Sequence, residues 1–447
     1  MKYSSFCILL LMINAMANPL RSQNFGDTLH LREVEIKTTF YSTNNGFKRI
    51  KIDSSILLPK LNCDLATILA ENSTIFIKSY GNGGLATASF RGTTANHTQV
   101  QWNGVNINSP MLGQTDFSQI PVGQFDNIEI LYGPAGIAFT SGAFGGLVNL
   151  VTKPDWDNRI NLLIAPTISS FHTYGGNLKF SVGNVNFQSI TRANYNSSKN
   201  DFPYYDNKLQ IRHQQNASYY KYGITEELYW RPTSKDIISL KTWYNEGFNN
   251  LPPNLTSINV LNGESISETV LRSIAEWKKS ARVVSFVLRS DYINENMNYR
   301  NDSAGINDHH IYNSFINRWR GIISGTSKLK IKPGVDLNYE WVSSDAYNGL
   351  KTRNNISLFS EFIYEFNRKI QATFVGREEL IDGKFMPFIA AIGMNYKPFP
   401  IDLAFSVNFS RNYRFPTLNE LYWKSFGNPN LKPEKDHAAE VGVIYRY

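Results

Sequence analysis

From Pro154 onward, apolar and polar residues alternate with a period of two. The clearest run sets Ile401, Leu403, Phe405, Val407 and Phe409 against Asp402, Ala404, Ser406, Asn408 and Ser410. Leu178, Phe180 and Val182 repeat the pattern, as do Val185 with Phe187, and Ile356, Leu358, Phe362, Tyr364 and Phe366. Successive strand side chains point to opposite faces, so these runs predict strands with one apolar and one polar face. A length of about ten residues is what a tilted strand needs to cross a bilayer. About 14 strands fit after Pro154, the last over 439–447. Short connections at 183–184, 232–235, 279–280 and 367–369 alternate with long polar ones at 197–216, 247–265, 294–308 and 412–435. Short turns at one end and long loops at the other are the asymmetry of an outer-membrane barrel. Tyr219, Tyr220, Trp230, Trp243, Tyr244, Trp277, Trp319 and Trp341 fall near strand ends and fit interfacial girdles, although any β-sheet is enriched in aromatics.

The text before Pro154 is different. It reads as a compact α+β domain with short strands at 74–78, 88–91, 98–102, 127–131 and 147–151, and with many glycines for tight turns. Asp64 is placed to cap a helix over 65–71 by accepting free first-turn amides. Residues 18–30 are polar and patternless. At the start, Lys2, the apolar stretch from Phe6 to Ile13, and Ala15 with Ala17 have the order of a signal peptide, with cleavage after Ala17 or, second, after Ser22.

Composition narrows the class. The chain has 447 residues, a net charge of +8, 18% charged and 13% aromatic residues. A mean hydropathy of -0.31 opposes a bundle of membrane helices. The low charge share opposes a disordered chain. The remaining classes are a large soluble β protein and an outer-membrane barrel. Of the two cysteines, Cys7 lies in the leader, so Cys63 stands alone in the mature chain and no disulfide is expected. The basic excess is dispersed, which suits contact with lipid and lipopolysaccharide headgroups and not nucleic acid.

Two stretches before Pro154 carry a family resemblance: ASFRGTTANHTQVQWNGVNIN at 88–108 and IEILYGPAGIAFTSGAFGGLVNLVTK at 128–153. Together they resemble the plug domain of TonB-dependent outer-membrane receptors. RNYRFPTLNELYW at 411–423, followed by GNPNLKPEK at 427–435, resembles an extracellular loop of the same family's barrel. The resemblance implies an all-β membrane barrel of the 22-strand type with a small α+β plug in its lumen. The domain reading is then 1–17 signal peptide, 18–37 periplasmic segment, 38–153 plug and 154–447 barrel. A plug of that size is roughly 18 Å in radius. Fourteen tilted strands close at a radius of roughly 15 Å and 22 at roughly 24 Å, so only the larger ring holds the plug. A truncated chain lacking about eight strands, with an open sheet edge, is therefore expected.

The resemblance also implies function: energy-coupled uptake of a scarce, large cargo of cobalamin or iron–siderophore type, by a monomer that is not an enzyme and holds no cofactor or metal. The compact plug and the first long loop look most like the cobalamin-receptor branch. The alternative is a surface-binding or adhesion receptor of the same fold that does not transport. A TonB-type partner would engage Leu31, Arg32, Glu33, Val34, Glu35 and Ile36, a short strand-like run able to pair with a partner strand; the same run also reads as the plug's first strand. Arg91 would face a barrel-wall carboxylate, or else stand as a surface arginine. Cargo contacts are expected at two glycine-bearing plug turns, through Tyr80, Asn82, Met111 and Gln114, and on the barrel at Tyr204, Tyr205, Tyr413 and Arg414. Other chemistries are poorly supported. The Gly142–Gly146 run lacks a following Gly-Lys-Ser/Thr, and Asp308-His309-His310 in a polar loop lacks a third ligand. No Ser/His/Asp arrangement is legible.

Overall fold

The computed structural model describes residues 47–156, 160–206, 208–253, 263–326, 328–399, 401 and 403–445. The signal-peptide reading, the periplasmic segment and the run Leu31 to Ile36 lie outside the described residues.

The N-terminal part builds a five-stranded sheet and a two-stranded one. Strands β1 (Arg49–Ile52), β4 (Thr98–Trp102), β5 (Val105–Asn106), β6 (Asn127–Tyr132) and β7 (Gly146–Val151) run in the order β1-β6-β7-β4-β5. Strands β2 (Phe76–Ser79) and β3 (Ala86–Ser89) form a separate hairpin. The helix Leu65–Asn72 starts where expected: Asp64 accepts from the Thr67 amide at 2.8 Å and from its hydroxyl at 2.7 Å. Leu65, Ile68 and Leu69, Val100, Trp102, Ile128, Ile130, Val148 and Leu150 make its core.

The C-terminal part is one antiparallel wall. Its strands are β8 (Ile160–Ser169), β9 (Thr173–Gly183), β10 (Phe187–Ser198), β13 (Tyr219–Thr233), β14 (Asp236–Asn250), β15 (Glu264–Lys279), β16 (Val284–Asn301), β17 (Ile306–Ser324), β18 (Leu329–Ser344), β19 (Lys351–Asn367), β20 (Ile370–Ile381), β22 (Ile389–Tyr396), β23 (Leu403–Arg414) and β24 (Glu434–Tyr445). Each pairs with its neighbour in that order, and β21 (Lys384–Phe385) adds to β20. A hairpin of β11 (Pro203–Tyr205) and β12 (Ile211–His213) stands in the first long loop. Fourteen strands thus form the path, as the alternation predicts. Among the described residues no ladder joins β8 to β24, so the path has two edges.

The wall is apolar outside and polar inside. On β19, Ile356, Leu358, Phe362 and Tyr364 are exposed, while Ser357 and Glu361 are buried. On β23, Phe405, Val407 and Phe409 are exposed and Asn408 and Ser410 buried. A water-soluble protein has the reverse arrangement; this one suits lipid outside and a hydrated or plugged lumen. The plug fills the inner face: Trp243, Tyr312 and Val342 of the wall belong to the plug's own hydrophobic core. Trp102 and Phe125 of the plug meet Trp243 edge-on, with ring centroids 5.5 and 5.6 Å apart.

Three expectations need correction. Tyr219 and Trp243 are buried against the plug and take no part in an outer girdle, whereas Tyr220, Trp230, Trp277 and Trp319 do face outward. Their alternate strand positions decide this, which aromatic type alone cannot. The loop expected at 294–308 is mostly strand: β16 and β17 run on to Asn301 and from Ile306, so His309 and His310 are ladder residues. Asn294, Asn296 and Asn298 read as loop by composition, but a hairpin standing in water beyond the bilayer has polar residues on both faces. The last strand begins at Glu434, earlier than 439, because Glu434 and Lys435 still pair with Arg414 and Tyr413.

Candidate functional site

The short turns at residues 184–186, 234–235, 280–283 and 368–369 lie at one end of the wall, and the strand ends at 198 and 219, 250 and 264, and 414 and 434, which the longer connections join, at the other. The long-loop end is the extracellular one in barrels of this kind. Both plug turns expected to meet cargo touch residues of that end, but in two separate zones.

In the first zone the turn between β2 and β3 carries Tyr80, which is 65% exposed. Its ring takes the Lys78 ammonium 5.1 Å from the centroid. Asn82 accepts from the Tyr219 hydroxyl at 3.3 Å, and its carbonyl accepts from Asn200 at 2.8 Å. Asn200 lies at the foot of the β11–β12 hairpin, where Tyr204 is half-buried and Tyr205 exposed. Asp206 fixes the hairpin turn through the amides of Lys208 and Gln210 and the Arg212 Nε at 2.6 Å. Tyr80, Asn82, Tyr204 and Tyr205 thus share one side of the outer face.

In the second zone the turn Ser109 to Gln114 is closed by the Ser109 amide on the Gln114 carbonyl at 3.0 Å. The loop helix Leu418–Tyr422 sits on it: Leu418 and Asn419 donate to the carbonyls of Pro110 and Met111 at 3.0 and 3.2 Å. A capping box of Thr417 and Glu420 starts that helix. Gly113 has φ +73, and a Cβ there would come within 2.8 Å of the Thr417 methyl, so glycine is needed for the seat.

Three expected cargo residues are engaged in the structure itself. Met111 is 2% exposed and packs in the core, since its turn folds back over the plug. Tyr413 is fully buried among Ile137, Val375, Ile389 and Ala391, with its hydroxyl on Glu379. Arg414 holds two carboxylates, Glu420 at 2.9 and 3.0 Å and Glu434 at 2.6 and 3.0 Å. Of the residues singled out from the sequence, Tyr80, Asn82, Gln114, Tyr204 and Tyr205 are left with accessible surface for a ligand.

The plug is held by polar contacts at both levels. Arg91 pairs with Glu440 of β24. Gly133 has φ +51 and leaves room there, since a Cβ would come within 2.6 Å of Glu440. His97 meets Glu434 at 2.8 Å. Deeper, Asp126 accepts from Lys179 and Arg192, both at 2.8 Å, and Arg192 also pairs with Glu227. Burial pushes the Asp126 carboxyl up, but the Arg192 and Lys179 cations outweigh it and hold it down at about 2. Gln124 reaches Asn194 at 2.7 Å and accepts from Thr225 at 2.5 Å. Arg289 and Arg318 clamp the carbonyls of Asn103 and Gly104 at the β4–β5 turn. Sequence reasoning missed His97, Asp126 and Arg192. The available signal was a charged residue on the polar beat of a strand, as at Arg192, Glu227 and Glu379.

A lumenal domain tied to an inward-polar wall defines the class: a plugged outer-membrane β-barrel. Residues 60–147 match the family description "TonB-dependent Receptor Plug Domain" and residues 151–447 match "TonB dependent receptor-like, beta-barrel". The chain belongs to the TonB-dependent receptors, which are bacterial outer-membrane proteins. It is 23% identical over 391 residues to the vitamin B12 transporter BtuB of Photobacterium profundum, covering 85% of this chain and 61% of that one. To BtuB of Vibrio vulnificus it is 24% identical, covering 93% and 68%. Solved structures of the same fold include the copper transporter OprC (TM-score 0.72, 15% identity, 89% of this chain and 71% of that one). The ferric enterobactin receptor PfeA of Pseudomonas aeruginosa, in mutant form, has TM-score 0.71 at 15% identity, with 89% and 69% covered. The family is one of receptors and transporters, not an enzyme class.

Proposed function

We propose that this chain works in active, energy-coupled uptake of a scarce, large cargo, cobalamin-like or an iron–siderophore complex, through the outer membrane. The observation that carries this is a folded domain inside a barrel wall, joined to it by dispersed ion pairs and hydrogen bonds that break without chemistry. Such contacts are individually modest and screened where exposed, so a pulling partner can release them in sequence. The named relatives support the cargo classes: two are vitamin B12 transporters and one similar structure is a ferric enterobactin receptor.

In this reading residues 1–17 are a signal peptide, 18–37 a periplasmic segment, 38–153 the plug and 154–447 the barrel. A TonB-type protein pairs with the run from Leu31 to Ile36 by adding a strand. Cargo rests on Tyr80, Asn82 and Gln114 of the plug and on Tyr204 and Tyr205 of the first long loop. Met111, Tyr413 and Arg414 shape that surface from beneath. The outward apolar band sits in lipid with lipopolysaccharide at the outer rim, and the protein acts as a monomer. The test is a binding screen of the purified, refolded protein against cobalamins and ferric siderophores. One of these classes should bind, and the Tyr80→Ala, Asn82→Ala, Gln114→Ala triple variant should weaken that binding at least about tenfold, three modest polar contacts being removed. An unchanged dissociation constant would remove the plug turns from the site.

A further inference from the structure

One transverse row of polar side chains breaks the apolar outer face of the wall. Thr191 of β10, Glu226 of β13, Thr242 of β14, Ser273 of β15 and Tyr292 of β16 stand directly opposite one another on five adjacent strands. Residues opposite each other in a ladder share a face. That face is the outer one: on β13 Ile224 and Trp230 are exposed, while Thr225 and Glu227, which alternate with them, are buried. At its two ends the row runs into Phe180 of β9 and Phe315 of β17, both exposed. The exposed aromatics Tyr222 and Trp230 lie on either side of Glu226 at equal distance along the strand. Eight residues at about 3.3 Å each separate them, so the carboxyl sits roughly 13 Å from both. It therefore lies inside the apolar band and not at its rim.

The wall itself meets only part of what these groups require. The Ser189 and Thr191 hydroxyls donate to the two oxygens of Glu226 at 2.6 and 2.5 Å. A carboxylate has about four acceptor sites, so roughly two are left. Thr242 and Ser273 share one bond at 3.4 Å, which uses one hydroxyl hydrogen of the two. Beside the row, Ser290 donates to the Asn317 carbonyl at 2.8 Å, and the Asn317 amide adds donors there. Acceptors thus gather on β13 and donors on β14 to β17. Lipid tails give such groups no partner, so they favour contact with another polar membrane surface. A surface that carries both acceptors and donors complements itself, which is what the isologous contact of a two-fold pair requires. Its width agrees. Five strands are roughly 24 Å across. Over an apolar band about 25 Å tall that is a face of ~600 Å² per copy, at the lower end of specific interfaces. A single helix, about 10 Å across, would cover less than half of it.

We propose that two copies of this chain associate side by side in the membrane through this row, with Thr242 of the central strand near the two-fold axis. The inference goes beyond the uptake reading: transport stays with the single copy, and two such copies lie against each other. Its test needs no cargo and so can fail independently of that reading. In a full-length background with Cys7→Ser and Cys63→Ser, Leu240→Cys puts one thiol on the outer face of β14, next to the row and outside it. Phe374→Cys puts one on the outer face of β20 for comparison. Outer membranes of cells producing either variant are treated with a mild oxidant, and the disulfide-linked products are identified by mass. Leu240→Cys should give pairs of this chain at least about fivefold faster than Phe374→Cys. Glu226→Leu, added to Leu240→Cys, should slow pairing about fivefold, since one bond is lost from each copy. Glu226→Gln keeps a side-chain acceptor and should leave the rate within about twofold. The side chain of residue 226 points away from the plug, and thermal unfolding of both variants should match the parent. Pairing at Leu240→Cys no faster than at Phe374→Cys would overturn the proposal and leave the row facing lipid. A disulfide to a different protein in place of a second copy would overturn it in favour of another partner. Equal pairing with Glu226→Leu and with the parent would show that the row does not hold the pair.

Discussion

Asp126 is the residue on which the plug's inner anchorage turns. Its two oxygens take Lys179, Arg192 and the Lys153 amide, the last at 2.9 Å. A carboxyl lowered from 3.8 to about 2 in the fold contributes about 2 kcal/mol at neutral pH. The sign follows from the depressed value: the contribution is complete above pH ~4 and fades as pH falls towards 2. Asp126→Asn should therefore lower the opening free energy of plug amides by about 2 kcal/mol in native-state hydrogen exchange at pH 7. It should also flatten the acid dependence between pH 4 and 2; an unchanged acid limb would show that the anchor lies elsewhere. Charged residues such as Arg192 and Glu227 stand on the polar beat of their strands, where the sequence alone shows them. Their pairing is not legible there, because Asp126 lies 66 positions from Arg192 and only the folded wall brings them together. Met111 and Tyr413, expected to touch cargo, are buried, and the sequence does not tell this for a related reason: a turn and a strand end offer the same residue type to solvent or to the core.

At the scale of elements, local signals were read well where local chemistry decides. The Asp64 cap set the helix start, and β4 occurs over the very residues its apolar pattern marks. Asp64→Ala should cost about 1 kcal/mol of plug stability, seen as faster exchange at the Thr67 and Ile68 amides with the wall amides unchanged. Equal exchange would mean that packing of Leu65 and Ile68 alone holds the helix. The β11–β12 hairpin and the helix Leu418–Tyr422 were not foreseen within their loops. Both are too short to show a period; the hairpin is fixed by Asp206 at its own turn and the helix by its seat on the plug turn. The Thr417–Glu420 spacing was the one legible trace of the second.

At the scale of the molecule, the period-two alternation carried the architecture. It gave the strand number, the outward apolar face and the asymmetry of turns and loops, because a bilayer leaves a wall few other solutions. Plug size against ring size predicted an unclosed wall, and the described wall has two free edges. The chain spans 61% and 68% of the two B12 transporters it resembles, and uptake by this chain is accordingly a proposal. Neither alternation nor composition carries information on cargo, which depends on a few side chains at turn tips. The most direct test of the uptake proposal is accumulation of labelled cyanocobalamin and labelled ferric siderophore by cells that produce the protein and lack their own receptors for these compounds. The account predicts that one label accumulates, that a proton-gradient uncoupler or Val34→Pro abolishes accumulation, and that surface binding survives both. Accumulation that persists in the presence of the uncoupler would contradict it.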